Sequence, residues 1–184
     1  MGQHVIRAVR ADEWQKIKDL RIAALKDPAA PVAFLETVEQ AEEKPDSLWQ
    51  DRAAGASHGR SARQFVAEAE DGSWDGSVVM LVEQAGEADY FGDVMDRHQG
   101  HLVGVYVRPE HRGSGLAGEL FEAALEWAWS LEGPQLERVR LYVHERNERA
   151  AAFYRRAGFA PTGRVVPMPG DPAAKELEYA IPRP

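Results

Sequence analysis

The chain contains no cysteine. That absence excludes a disulfide framework, a thiolate metal site and a cysteine nucleophile. Long apolar runs are missing too, none reaching the ~18 residues that a membrane helix needs, and the opening Met1-Gly2-Gln3-His4 lacks a leader pattern. A soluble, cytoplasmic protein without membrane contact is the expectation. Basic residues are in deficit, with 22 Lys and Arg against 30 Asp and Glu, a net charge of -8. A surface that follows nucleic-acid phosphates needs the opposite balance, which argues against nucleic acid as a partner. The acidity suits cationic amines, although solubility alone accounts for it equally well. At 184 residues and 44% apolar, the sequence reads as one domain, residues 1–184.

Periodicity divides the chain into mixed elements. Val5 to Val9 reads as a strand, and Asp12 as the cap of a helix with Trp14, Ile17, Leu20, Ala24 and Leu25 near helical spacing. The Asp27-Pro28 step ends that helix. Pro31 and Pro45 break the stretch from Ala29 to Gly59, in which Ser47 to Ala54 can form a helix. Gln64 to Ala69 and Val78 to Gln84 read as strands. The polar segment Ala85 to Gly100 is long for a hairpin loop and is expected to wall a pocket. Leu102 to Val107 is a near-continuous apolar strand, Ser114 to Leu131 an amphipathic helix, and Arg138 to Val143 an alternating, half-buried strand. Asn147 caps a short helix that Gly158 stops. Phe159 to Val166 and Leu177 to Ile181 read as strands interrupted by the proline-rich segment 167–172. The class is α+β or α/β with a largely antiparallel sheet.

The most informative stretch is Gly113-Ser114-Gly115-Leu116-Ala117-Gly118, which follows an apolar strand and opens a helix. Glycines allow close backbone approach, and the free amides of a first helical turn attract anions. The literal G-x-G-x-x-G spacing suggests a dinucleotide. Against that, five residues, Arg108 to Arg112, separate the strand from the glycines, and too little chain follows for the further βα units that fold requires.

Val107-x-Pro109 followed by Arg112-x-x-Gly115-x-Ala117 resembles the phosphate loop of the GCN5-related N-acetyltransferases. A second block, Asn147-x-x-Ala150-x-x-Phe153-Tyr154-x-x-x-Gly158-Phe159, resembles that family's later pattern at the usual distance. The resemblance implies a central mixed sheet of six to seven strands, flanked by about four helices, with one splayed strand pair. It implies acetyl-CoA as acyl donor, no metal, and a small-molecule or peptide amine as acceptor, in a chain that forms a homodimer. Donor contacts then fall to Val105, Tyr106 and Val107 on the strand, to Arg112, Gly113, Ser114, Gly115, Leu116, Ala117 and Gly118 on the loop, and to Asn147, Ala150, Phe153 and Tyr154. Tyr154 takes the role of proton donor to the leaving sulfur, although a tyrosine on an apolar helix face otherwise reads as core. The general base falls to His101, with Glu83 and Glu68 as rivals, while His111 reads as solvent-facing. The alternative to an enzyme is a non-catalytic acyl-CoA-binding or regulatory module.

Overall fold

The computed structural model describes residues 3–89 and 91–184, so Met1, Gly2 and Tyr90 lie outside the described residues, and with them part of the N-terminal pattern. Among the described residues, seven strands form one sheet in the order β1-β2-β3-β4-β5-β7-β6. They are β1 (Val5–Ala8), β2 (Ala62–Glu68), β3 (Trp74–Glu83), β4 (Gln99–Val107), β5 (Arg138–His144), β6 (Ala160–Met168) and β7 (Asp171–Pro182). Every pairing is antiparallel except β4 with β5. The helices are α1 (Trp14–Leu25), α2 (Ala30–Ala33), α3 (Val38–Glu43), α4 (Asp46–His58), α5 (Leu116–Ser130) and α6 (Glu148–Arg156). None of them is long and apolar enough to cross a membrane.

The two faces of the sheet carry separate cores. On one, Leu116, Leu120, Phe121 and Ala124 of α5 and Tyr154 of α6 pack on Met80, Leu102, Val139 and Leu141. On the other, Ile17, Leu20 and Ala24 of α1 and Trp49 and Ala53 of α4 pack on Val66, Trp74 and Tyr106. Leu102 and Val107 therefore face the same core although five positions separate them, which a regular period of two forbids. The cause is a bulge: Val79 pairs with Val103 and Ser77 with Tyr106, so Gly104 and Val105 stand opposite Val78 alone. Gly104 has φ +62°, a conformation open to glycine at little cost.

Several local expectations need correction. Asp12 does not cap α1; it lies inside a 3-10 turn, Ala11–Glu13, and Glu13 instead accepts the Arg10 backbone N–H while its carboxylate holds Arg7. Among the described residues the flanking helices number six, because 29–59 folds into α2, α3 and α4. Pro31 sits in the first turn of α2 and Pro45 just before α4, positions where the missing N–H has no intrahelical partner to lose. The segment 167–172 is no interruption: β6 and β7 run through it as a hairpin turning at Pro169-Gly170.

Candidate active site

The strand β4 separates from β5 after three residue pairs, Gln99 with Arg138, Gly100 with Val139 and His101 with Arg140. Beyond them the β5-facing edge of β4 has no ladder partner among the described residues. β5 stays paired with β7 up to His144 opposite Glu176. The result is a wedge between two parallel strands, with no ladder pairing across it among the described residues.

Beside it, the chain leaves Val107, makes a 3-10 turn at Pro109–His111, and reaches α5 through Gly113 and Gly115, at φ +78° and +88°. Gly115 is the N-cap of α5 and carries no capping side chain, so first-turn amides of Leu116, Ala117 and Gly118 lack intrahelical acceptors. A Cβ built on Gly113, Gly115 or Gly118 would meet nothing within 4 Å. The loop is open in front of the helix's positive end. From Gly118 a groove of about 690 Å³ runs between α5 and α6, lined by Phe121, Leu125, Phe153 and Ala157.

The Arg112 side chain is used differently from the expectation of a phosphate partner. Its Nη2 donates to Asp27 Oδ2 at 2.6 Å and its Nε to the Val107 carbonyl at 3.0 Å, tying the loop to the end of α1. The Ser114 hydroxyl donates to the His111 carbonyl. Both side chains are spent within the protein, and what the loop presents is main chain.

Asn147 caps α6, its Oδ1 accepting the Ala150 N–H at 3.3 Å, while Nδ2 donates to the Val32 carbonyl of α2 at 3.5 Å. Ala150 and Phe153 are half-buried against the α5 core, Phe153 edge-on to Phe121. Tyr154 stacks on Phe121 at 5.7 Å. Among the described residues its hydroxyl has no hydrogen-bond partner, and burial, reinforced by the charge of Glu176, pushes its pKa up to about 12. It stays a protonated donor across the physiological range.

His101 lies at the root of the wedge, on the face away from α5 and α6. Its Nδ1 is 3.5 Å from Glu83 Oε2, and its ring meets that of Tyr142 edge-on at 5.7 Å. Glu83 itself is unsuited to take a proton. Burial raises its pKa, but His101 and Arg140 outweigh that and bring it down to about 2. Glu68 is equally committed, to Arg7 and Trp74 at the far side of the sheet. Neither rival carboxylate is a free base.

Two features escaped the sequence reading. Arg140, expected on the outer side of a half-buried strand, is 1% exposed and donates to Glu83 through two nitrogens at 2.9 Å, to Glu178 at 2.9 Å and to Asp89 at 3.1 Å. Asp89 comes from the segment 85–98, which therefore caps this cluster from above; its Phe91 meets Tyr142 at 5.0 Å. The second is Glu176, on β7 opposite buried His144, whose Nδ1 accepts the Arg146 N–H. Glu176 is 7% exposed, yet no hydrogen bond or ion pair of the described residues engages its carboxylate, and burial pushes its pKa up to about 7. Glu176 lies just before the strand read over Leu177 to Ile181, and nothing in the alternation Ala174, Glu176, Glu178 separates it from its ion-paired neighbour Glu178.

The chain resembles known proteins in the same terms. Spermidine N(1)-acetyltransferase of Escherichia coli is 28% identical over 109 residues, 59% of this chain and 51% of that protein. Peptidyl-lysine N-acetyltransferase YjaB of Escherichia coli is 38% identical over 64 residues, 35% of this chain and 38% of that protein. The chain thus spans about half the length of the spermidine enzyme it matches, or less for YjaB. Among solved structures, a chimera of the Vibrio cholerae spermidine N-acetyltransferase SpeG superposes with a TM-score of 0.67 at 21% identity, covering 98% of this chain and 96% of that one. Arabidopsis thaliana NAA60 in complex with a bisubstrate analogue gives 0.69 at 13% identity, covering 97% and 98%. These likenesses carry the fold. The sequence model of the acetyltransferase (GNAT) family matches residues 21–159, which include both the glycine loop and the Asn147 to Phe159 block, and the chain belongs to that family.

Proposed function

We propose that this protein is an N-acetyltransferase that moves an acetyl group from acetyl-CoA to a primary amine in a ternary complex. The observation that carries the reading is the unpaired wedge between β4 and β5, next to a glycine loop whose open side faces the start of α5. An extended pantetheine arm can add to the free edge of β4 near Val105, Tyr106 and Val107 as a short strand does. Its pyrophosphate then rests on the amides of residues 112–118, where the macrodipole favours negative charge, and the nucleoside end follows the groove beside Phe153, one turn along α6 from Ala150. Arg112 and Asn147 serve as anchors, holding the loop to α1 and α6 to α2.

The chemistry requires a neutral amine, a polarised carbonyl and a sulfur able to leave. The amine nitrogen attacks the thioester carbonyl carbon, the C–S bond breaks as the departing sulfur takes the Tyr154 proton, and the nitrogen, in becoming an amide, gives up a proton that restores the Tyr154 hydroxyl. A thiol of pKa near ~8.5 leaves easily, so a donor held near 12 contributes a hydrogen bond and finally the proton. The carbonyl oxygen is polarised by a main-chain amide of β4 beside the bulge at Gly104. An alkyl ammonium with pKa near ~10 must lose a proton before it attacks. His101, oriented by Glu83, is one acceptor for it; Glu176, an unpartnered carboxylate coupled to Tyr154, is the other. Direct transfer is favoured because the chain has no cysteine to form a thioester intermediate.

Thiol release from acetyl-CoA, measured over spermidine, lysine peptides, peptide N-termini and small alkyl amines, tests the reading. Amine-dependent release that falls about a hundredfold or more in Tyr154→Phe, with CoA affinity unchanged, supports it. CoA binding with no amine-stimulated release, and no effect of Tyr154→Phe, would establish the non-catalytic module instead.

A further inference from the structure

We infer that His4, Asp75 and His111 form a binding site for a divalent transition-metal ion. The three residues come from separate parts of the chain: the residue before β1, the second residue of β3, and the 3-10 turn that leads to the glycine loop. Their ligand atoms all lie within 4.8 Å of one another. His4 Nε2 is 2.8 Å from Asp75 Oδ2 and His111 Nε2 is 3.2 Å from the same oxygen. The two imidazoles stand nearly perpendicular, with centroids 5.0 Å apart.

A purely hydrogen-bonded clamp explains part of this arrangement. Of the two imidazoles, however, only His4 is oriented to hydrogen-bond Asp75; His111 points a nitrogen at the same oxygen at ion-pair distance without making that bond. Neither Nδ1 has a hydrogen-bond partner among the described residues, so each ring can carry its proton on Nδ1 and turn Nε2 to an ion, which in His4 replaces the bond Nε2 donates to Asp75. Around a tetrahedral ion with bonds of ~2.0 to 2.1 Å, ligand atoms stand about 3.3 Å apart. The two separations from Asp75, 2.8 and 3.2 Å, are within a few tenths of an ångström of that, and the imidazole nitrogens, which lie within 4.8 Å of each other, close on the ion by side-chain rotation.

Chemistry selects the ion. Two imidazole nitrogens and one carboxylate suit Zn²⁺, Co²⁺ or Ni²⁺, whereas Mg²⁺ and Ca²⁺ prefer oxygen donors throughout. The side chains of His4 and Asp75 are 12% exposed and that of His111 35%, so the site is walled on one side and open to water on the other. Three protein ligands and an open position follow. Arg108 Nε, 3.9 Å from Asp75 Oδ1 and donating to the Trp74 carbonyl, steadies the carboxylate and repels the ion, so affinity is moderate. An ion here joins the turn carrying His111, and with it the glycine loop, to the start of β3. The inference is independent of the catalytic reading.

Chelator-stripped full-length protein titrated with Zn²⁺ by calorimetry should bind one ion, and Co²⁺ should give the visible absorption of a four-coordinate site. His111→Ala and His4→Gln should each weaken binding by more than about tenfold, while His58→Ala, on the exposed end of α4, should leave it unchanged. Zn²⁺ should also raise the thermal midpoint of the wild type and not that of His111→Ala, which shows in the same experiment that the variant folds. No saturable Zn²⁺ or Co²⁺ binding, or equal binding by wild type and both ligand variants, would overturn the site.

Discussion

Replacing Glu176 by Gln should make the protein more stable and less active, in a way that depends on pH. Glu176 ionises near 7 in the fold against 4.5 for a free glutamate, because burial penalises its charge and no cation of the described residues repays it. Below about pH 4 the side chain is protonated in folded and unfolded chains alike, and contributes no difference. Between 4.5 and about 7 the unfolded chain has lost the proton that the folded chain keeps, so the native state binds more protons and stability falls as pH rises. Above about 7 the whole penalty is present. A rise from 4.5 to about 7, at 1.36 kcal/mol for each pH unit, gives an upper bound of about 3 kcal/mol. Gln fills the same volume without the charge. Urea unfolding should therefore show Glu176→Gln equal to wild type near about pH 4 and more stable near about pH 8, by up to about 3 kcal/mol. If Glu176 takes the acceptor's proton, kcat/KM of the same variant falls while CoA affinity holds. A stability difference that does not change with pH, or a loss of stability at both values, would refute the claim that an unpaired carboxylate is stored there.

Gly115→Glu should abolish acetyl-CoA binding by calorimetry, while Gly115→Ala isolates the backbone cost of the left-handed conformation, about 1 to 2 kcal/mol, from charge placed against the phosphates. His101→Ala should remove the acidic limb of the kcat/KM profile if His101 is the base, and leave that limb in place if Glu176 is. Arg140→Met should destabilise the fold by about 3 to 5 kcal/mol in urea, because Glu83, Asp89 and Glu178 lose their common cation and stay buried.

Much of this architecture is written locally. The stripe Leu116, Leu120, Ala124 and Ala128 needed only helical spacing to be placed on a core, and Asn147 and Gly158 mark the ends of α6 by their own chemistry. The glycine loop was legible because its residue types are demanded by positive φ and by an open helix end. What escaped depends on residues distant in sequence. A single extra residue at Gly104 reverses which side chains of β4 face each core, and no apolar pattern records it. Arg138-Val139-Arg140 alternates like a strand with one wet face; at Arg140 that face is dry, with Asp89, 51 positions earlier, bonded to its guanidinium. Prolines in 29–59 signalled breaks where the chain uses them as helix entrances. His111 was assigned to solvent because its partners, His4 and Asp75, are brought to it only by the sheet.

The short contact between β4 and β5 makes the sheet two plates joined along a seam of three residue pairs. The buried ion cluster is the rivet of that seam: Arg140 on one plate grips Glu83 on the other, and Arg138 reaches Gln99 beside it. Hydrogen bonds alone would leave so narrow a joint free to fray toward its open end. Side-chain charges clamp its closed end instead, so the point at which the two plates part is set by buried ion pairs rather than by the ladder alone.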